Sequence, residues 1–159
     1  MSKIPEKRVE TKLEELMLVI SERLETGGRV TFSPWGVSML PLLAPGRDSV
    51  TLEKPNRTFL KNDMIFYRRA NGQFVLHRIE KVKTDGMLVL RGDNQWYKES
   101  VNPINVLGIV VEFTRKGKVN KCRGFNYGFY VNVIRHIHRF GIFAKLAIGK
   151  IKRMIKIER

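Results

Sequence analysis

Apolar residues recur at intervals of three and four near the start of the chain: Val9, Leu13, Leu16, Met17, Ile20 and Leu24, with charged residues between them. That spacing lays one apolar stripe along a helix and predicts an amphipathic helix over 8–26, stopped by Gly27-Gly28. From Arg29 onward the runs shorten and become rich in β-branched and aromatic residues. "RVTFS" (29–33), "DSVTLEK" (48–54), "DMIFYRR" (63–69), "QFVLHRIEKV" (73–82), "MLVLRG" (87–92) and "VLGIVVEFT" (106–114) read as strands. Turn signals separate them at Pro45-Gly46, Lys61-Asn62-Asp63, Asn71-Gly72 and Asp85-Gly86. Asn71-Gly72 marks the firmest hairpin, because both residue types accept the positive φ of a tight reversal. Past residue 125 the helical interval returns, and Ile134, Ile137, Ile142, Leu146, Ile151, Met154 and Ile155 share one broad face, with Gly141 and Gly149 as points of bending or breakage. The expected fold is mainly β (α+β): an antiparallel core over 29–121, preceded by a helix within 1–28 and followed by a helical tail over 122–159.

Composition sharpens this picture at two points. A chain of 159 residues, 43% of them hydrophobic, is long enough for one ordinary core and short for two. Its formal charge of +15 is unevenly spread: residues 1–114 carry 17 Lys+Arg against 14 Asp+Glu, and residues 115–159 carry 13 against one. A polyanionic partner is therefore a question about the tail, while the body is nearly balanced. A basic amphipathic tail over 126–159 fits an anionic membrane surface. It equally fits a helix docked on the core with its basic face in water. No aromatic-and-basic reading motif accompanies the charge, so no nucleic acid is expected. The N-terminal "MSKIPEKRVETKLEELMLVI" is too charged for a signal peptide, and no window holds 18 uninterrupted apolar residues. These features predict a cytoplasmic protein, with the tail offering peripheral attachment to the inner face of the membrane. The single cysteine, Cys122, forms no intrachain disulfide and reads as a small, partly buried side chain; no Cys/His cluster has zinc spacing, and neither metal nor cofactor is expected.

One serine raises a chemical question. In "PWGVSMLPLLAPGRDSV" (34–50), Ser38 lies between a glycine-bearing turn and Met39-Leu40-Pro41. It is either a turn residue satisfying backbone groups or a nucleophile on a tight bend, and a nucleophile needs a base beside it. Of the three histidines, His136 and His138 lie in the basic tail, a poor setting for partnering a catalytic body. His77 sits mid-strand in "FVLHRIEKV", at a core-lining alternation. "LRGDNQWYKES" (90–100) supplies Asp93 in a Gly-Asp-Asn turn and Glu99 six residues on. Either carboxylate can accept a ring N–H of His77 and so fix its tautomer. Asp48, in "PGRDSV", reads equally as a turn residue satisfying backbone donors.

In order and spacing these pieces resemble the signal peptidase I family and the LexA-type self-cleaving proteases that share its fold. The resemblance covers about residues 30–112 and rests on four blocks. "GVSMLPLLAPGRDSV" is similar to the family's Ser-Met-x-Pro block and the Gly-Asp turn after it, with Arg47 inserted between Gly46 and Asp48. "LKNDMIFYRR" is similar to its Gly-Asp strand, with Asn62 in place of glycine. "FVLHRIEKV" occupies the strand of the general base, and "LRGDNQWYKESV" with "VLGIVVEF" resembles the closing Gly-Asp-Asn and glycine-bearing strand blocks.

The resemblance implies a signal-peptidase-like β core and Ser38 as the nucleophile. Most bacterial members carry a lysine base directly before an arginine; here His77 precedes Arg78, as in the endoplasmic-reticulum and archaeal branch, while Lys81 and Lys83 are displaced along the strand. The same branch implies Glu99 as the orienting acid, leaving Asp93 to shape the site. Met39, Pro41 and Gly36 are expected on the substrate side, and Gly36 stands where many members place a hydroxyl that helps hold the oxyanion. The LexA-type repressors also carry a DNA-binding helix-turn-helix, for which the N-terminal segment leaves no room. The expected activity is a serine endopeptidase that removes a leader or signal-like segment from a peptide or small protein. The alternative is a non-catalytic module on a protease-like fold that binds peptides or a membrane surface.

Overall fold

The computed structural model describes residues 6–138 together with 140 and 141, with side chains from 15 onward. Helix α1 (Glu6–Glu25) is followed by eight strands, all paired antiparallel: β1 (Val30–Phe32), β2 (Ser49–Glu53), β3 (Met64–Arg68), β4 (Phe74–Val82), β5 (Leu88–Arg91), β6 (Glu99–Val101), β7 (Val106–Arg115) and β8 (Lys118–Lys121). Helix α2 (Phe125–Phe129) passes through a wider π-helical turn at Tyr130–Ile134 and is helical again to 138. Among the described residues no helix is long and apolar enough to cross a membrane.

The sheet is open, in the order β1-β2-β7-β3-β4-β5-β6, with β8 also on β7. The ten residues of β7 organise it. One edge of β7 pairs with β2, while the other pairs first with β3 (Val106–Ile109) and then with β8 (Glu112–Arg115). The β3–β4 hairpin closes around Asn71-Gly72, with Arg68 opposite Phe74 and Ile65 opposite His77. Strand alternation divides the apolar residues between two faces. Met64, Phe66, Leu76 and Val110 join α1, α2 and the Ser38 turn on one face; Ile65, Tyr67, Ile79 and Ile109 meet β5 and β6 on the other.

Six of the eight strands are those the residue pattern predicts. β6 and β8 are additions, the first too short to show a period, the second a polar edge strand whose one β-branched residue, Val119, is 68% exposed. In α1 the stripe is narrower than its spacing implies: Met17, Ile20 and Leu24 are buried, whereas Leu16 is exposed. Each fully buried side chain of this size contributes about 1.5–3 kcal/mol, so three anchors suffice to dock the helix. Val9 and Leu13 lie outside the residues whose side chains are described.

The start of the tail packs on the body. Tyr130 and Val131 belong to the core, and Arg135 is buried, with Nη1 donating to Glu80 and Nη2 to Asn62. Of the apolar face expected on the tail, Ile134 and Ile137 are exposed, and Ile142, Leu146, Ile151, Met154 and Ile155 lie outside the described residues, as does Gly149.

Candidate active site

Ser38 sits in a turn held by Leu40 N–H to the Val37 carbonyl (3.2 Å) and Leu43 N–H to the Met39 carbonyl (3.0 Å). Met39, Leu42 and Leu43 are buried in the core and pin the turn from below, leaving Ser38 partly exposed. Gly36 has φ +80°, a left-handed conformation that strains any residue bearing a Cβ. The backbone path into the turn thus accounts for glycine where the resemblance expects a hydroxyl.

Alternation along β4 turns neighbouring residues to opposite tasks. His77, 1% exposed, lines a recess of about 210 Å³ together with Ser38, Gly36, Met39, Trp35 and Tyr97. Its Nδ1 lies 2.8 Å from Glu99 Oε1 and 3.0 Å from the Tyr67 hydroxyl oxygen. Tyr67 donates its only hydroxyl proton to Glu99, and a carboxylate accepts only, so His77 Nδ1 carries the proton and donates. In the neutral ring Nε2 is then the basic nitrogen. Arg69 clamps Glu99 from the other side, Nε to Oε2 at 2.7 Å and Nη2 to Oε1 at 2.8 Å.

The charge states follow from these contacts. Burial pushes the His77 pKa below its ordinary 6.5, outweighing the upward pull of Glu99, so the ring is neutral near pH 7. Burial pushes Glu99 upward, but the Arg69 and Tyr67 hydrogen bonds more than offset it and hold the carboxyl below its usual value. Burial and the neighbouring Glu99 carboxylate drive the Tyr67 hydroxyl strongly upward, so it stays a proton donor.

Arg78, next in β4, points to the opposite face and anchors the Gly-Asp-Asn turn. Its Nε and Nη2 meet Asp93 Oδ1 and Oδ2 at 2.8 and 2.7 Å, with both side chains 0% exposed. That turn in turn holds the serine: Asn94 N–H donates to the Ser38 carbonyl (2.8 Å) and Asn94 Nδ2 to the Val37 carbonyl (3.1 Å). The approach is close, for a Cβ on Gly92 would stand 2.7 Å from the Ser38 oxygen.

The structure therefore brings Ser38, Gly36, Met39, His77 and Glu99 to one recess and its immediate border. Asp93 faces Arg78, away from the His77–Glu99 bond. Pro41 lies outside the lining of the recess, its carbonyl accepting from Arg115 Nη2 at 3.2 Å. Lys81 and Lys83 are exposed and also outside it. Asp48 is a structural turn residue, accepting from the Ala44 and Lys116 backbone and from Arg47, the inserted arginine. Asn62 has φ 76°, the left-handed region, which asparagine adopts more readily than most residues other than glycine. Burial pushes the Cys122 thiol up to about 12, an inert state.

His138, set aside because of its basic surroundings, reaches the site's supporting turn: its Nε2 is 3.0 Å from Asn94 Oδ1. Since Asn94 Nδ2 donates to Val37, Oδ1 is the acceptor, and His138 is the donor. Sequence reasoning also missed Tyr67 and Arg69. The hairpin at Asn71-Gly72 holds the signal for Tyr67: setting Ile65 opposite His77 makes Tyr67 a diagonal neighbour on the same face. Comparison with protein-family models, with curated proteins and with solved structures finds no match to this chain.

Proposed function

We propose that the protein is a serine endopeptidase of the signal peptidase I/LexA type that removes a leader or signal-like segment from a peptide or small protein. The observation carrying this reading is the Glu99–His77 hydrogen bond at 2.8 Å on the border of the recess that Ser38 also lines. Ser38 Oγ attacks the peptide carbonyl carbon while His77 Nε2 takes its proton. The imidazolium that forms is stabilised by Glu99 and returns the proton to the departing amine. Water, activated by the same nitrogen, then hydrolyses the acyl-enzyme. The Ser38 N–H has no partner among the described residues and is free to donate to the oxyanion.

A substrate strand has a place to lie. β5 pairs with β4 only from Arg78 onward, so among the described residues Phe74–His77 pair with β3 alone and offer a free edge beside Ser38. An extended peptide added to that edge gains main-chain hydrogen bonds and presents its carbonyl to the serine. Trp35, 94% exposed, flanks the recess as an apolar contact.

An alkyl fluorophosphonate is expected to label the wild-type protein at Ser38, with the adduct located by peptide mass spectrometry. Labelling that persists undiminished in Ser38→Ala overturns the nucleophile assignment.

The same reading makes the protein peripheral on the cytoplasmic face of a membrane, through the basic residues of 126–159. Flotation with vesicles is expected to require anionic lipid and to weaken as salt rises. Equal binding to neutral vesicles, or binding unaffected by deleting 142–159, rejects the attachment.

A further inference from the structure

A second recess, of about 240 Å³, opens between β7, β8 and the start of α2. Apolar Leu42 and Phe113 line it with three cations, Arg115, Lys121 and Arg123, and no carboxylate is among its lining residues. The Tyr127 and Tyr130 hydroxyls on its wall are committed elsewhere, Tyr127 to Arg78 and the Asn62 carbonyl, Tyr130 to Asp93. Arg115 is only partly committed. Its Nη2 donates to the Pro41 carbonyl, while its Nε is buried with no hydrogen-bond partner among the described residues.

The neighbouring larger recess, about 420 Å³, is the instructive contrast. There two of the three lining guanidinia face a carboxylate, Arg29 with Glu53 and Arg57 with Asp63. Lys121 and Arg123 line both recesses. Glu112 stands opposite Lys121 in the β7–β8 register but lines only the larger recess. Among the described residues no ion pair within 4.0 Å joins Glu112 to either cation. Three like charges against apolar and aromatic walls repel one another, and an anion placed among them reverses the sign of that interaction.

We propose that the smaller recess binds a phosphate group, carried by a soluble ester or by a lipid headgroup. A carboxylate offers one negative charge and two coplanar acceptors. A phosphate offers more charge and tetrahedral oxygens, which suit donors arriving from the Arg115, Lys121, Arg123 and Asn126 side chains that line the recess. Arginine forks and a lysine point charge are the usual means of holding it. The site is separate from the Ser38 recess, yet joined to it: the guanidinium that receives the phosphate also holds the carbonyl of Pro41, three residues past the serine. Binding is independent of whether that serine is a nucleophile.

The test is calorimetric titration of the full chain with inorganic phosphate at constant ionic strength, with chloride as the control anion. Saturable phosphate binding is expected, and Lys121→Gln/Arg123→Gln, both at exposed positions, is expected to weaken it at least about ten-fold without shifting Tm. Displacement of bound phosphate by phosphatidic acid vesicles, whose headgroup is a phosphate monoester, assigns the natural group to a lipid. Displacement by glycerol phosphate but not by those vesicles assigns it to a soluble ester. No heat beyond the chloride control, or equal affinity in the double variant, overturns the proposal. The double variant also separates this recess from the basic residues of 126–159, which it leaves intact.

Discussion

His77→Ala is expected to lower kcat on a cleaved leader peptide by about 10^5- to 10^6-fold, the loss typical of removing the base from a serine triad. The fold should survive, because Glu99 keeps its two Arg69 hydrogen bonds and its Tyr67 donor when the imidazole is gone. Lys81 and Lys83 offer no substitute base, being exposed and outside the recess; turnover retained in His77→Ala would move the base to one of them. The pH profile supplies an independent reading. The wild-type His77 pKa lies below 6.5, and the base works only when unprotonated. Activity is therefore full near pH 7 and falls as pH drops through a value below 6.5. Glu99 raises the His77 pKa by its charge and hydrogen bond, so Glu99→Gln should move that acid limb further down. It should also cost about 10^4-fold in kcat, because the imidazolium loses its counter-charge and the ring its enforced tautomer. An acid limb that stays in place or rises in Glu99→Gln removes Glu99 from the role of orienting acid.

What was legible in the chain and what was not divides along physical lines. Strands β1 to β5 and β7 announce themselves because each packs apolar residues against a core, and burial is what residue type records. β8 buries almost nothing; its only local signal is the turn at Lys116 and Gly117, both at positive φ. β6 spans three residues and exists through pairing with β5, a long-range fact that places Glu99 opposite Leu90. Ser38, His77 and Glu99 could be proposed together from order and spacing. Their support was harder to read: Tyr67 needs the register of the Asn71-Gly72 hairpin, Arg69 the pairing that brings Glu99 within reach, and His138 the docking of the helical segment after α2. The partner of Arg135 in the tail is hidden for the same reason. The tail's composition reports a solvated basic face, yet Arg135 is buried because Glu80, on the bulge that shifts the β4–β5 register, supplies the carboxylate. Charge seen along a sequence does not reveal which partner a fold brings to it.

The largest effect on stability is expected at Asp93, whose pairing with Arg78 lies wholly inside the protein. Both carboxylate oxygens are engaged by the guanidinium, and Tyr130 donates a further hydrogen bond to Oδ2 at 3.0 Å. Arg78 also donates to the Asn62 carbonyl and to Tyr127, and its guanidinium lies over the Tyr127 and Tyr130 rings. Removing one charge leaves the other buried without its counter-ion, a loss of about 3–5 kcal/mol. Asp93→Asn should therefore lower the urea-unfolding free energy by that amount, and Tm by about 6–20 °C for a chain of this size. Arg78→Met/Asp93→Leu should recover much of the loss, because no unpaired charge remains. The two carboxylates of this region then separate by measurement. Below its lowered Tm, Asp93→Asn should move the acid limb of kcat/KM down only slightly, because its charge is the weakest of the influences on His77, while Glu99→Gln moves it further with a smaller change in Tm. Asp93 sets where Ser38 stands, through Asn94 on the same turn; Glu99 sets what His77 can accept. A variant Asp93→Asn with unchanged Tm and a collapsed kcat would exchange those two assignments.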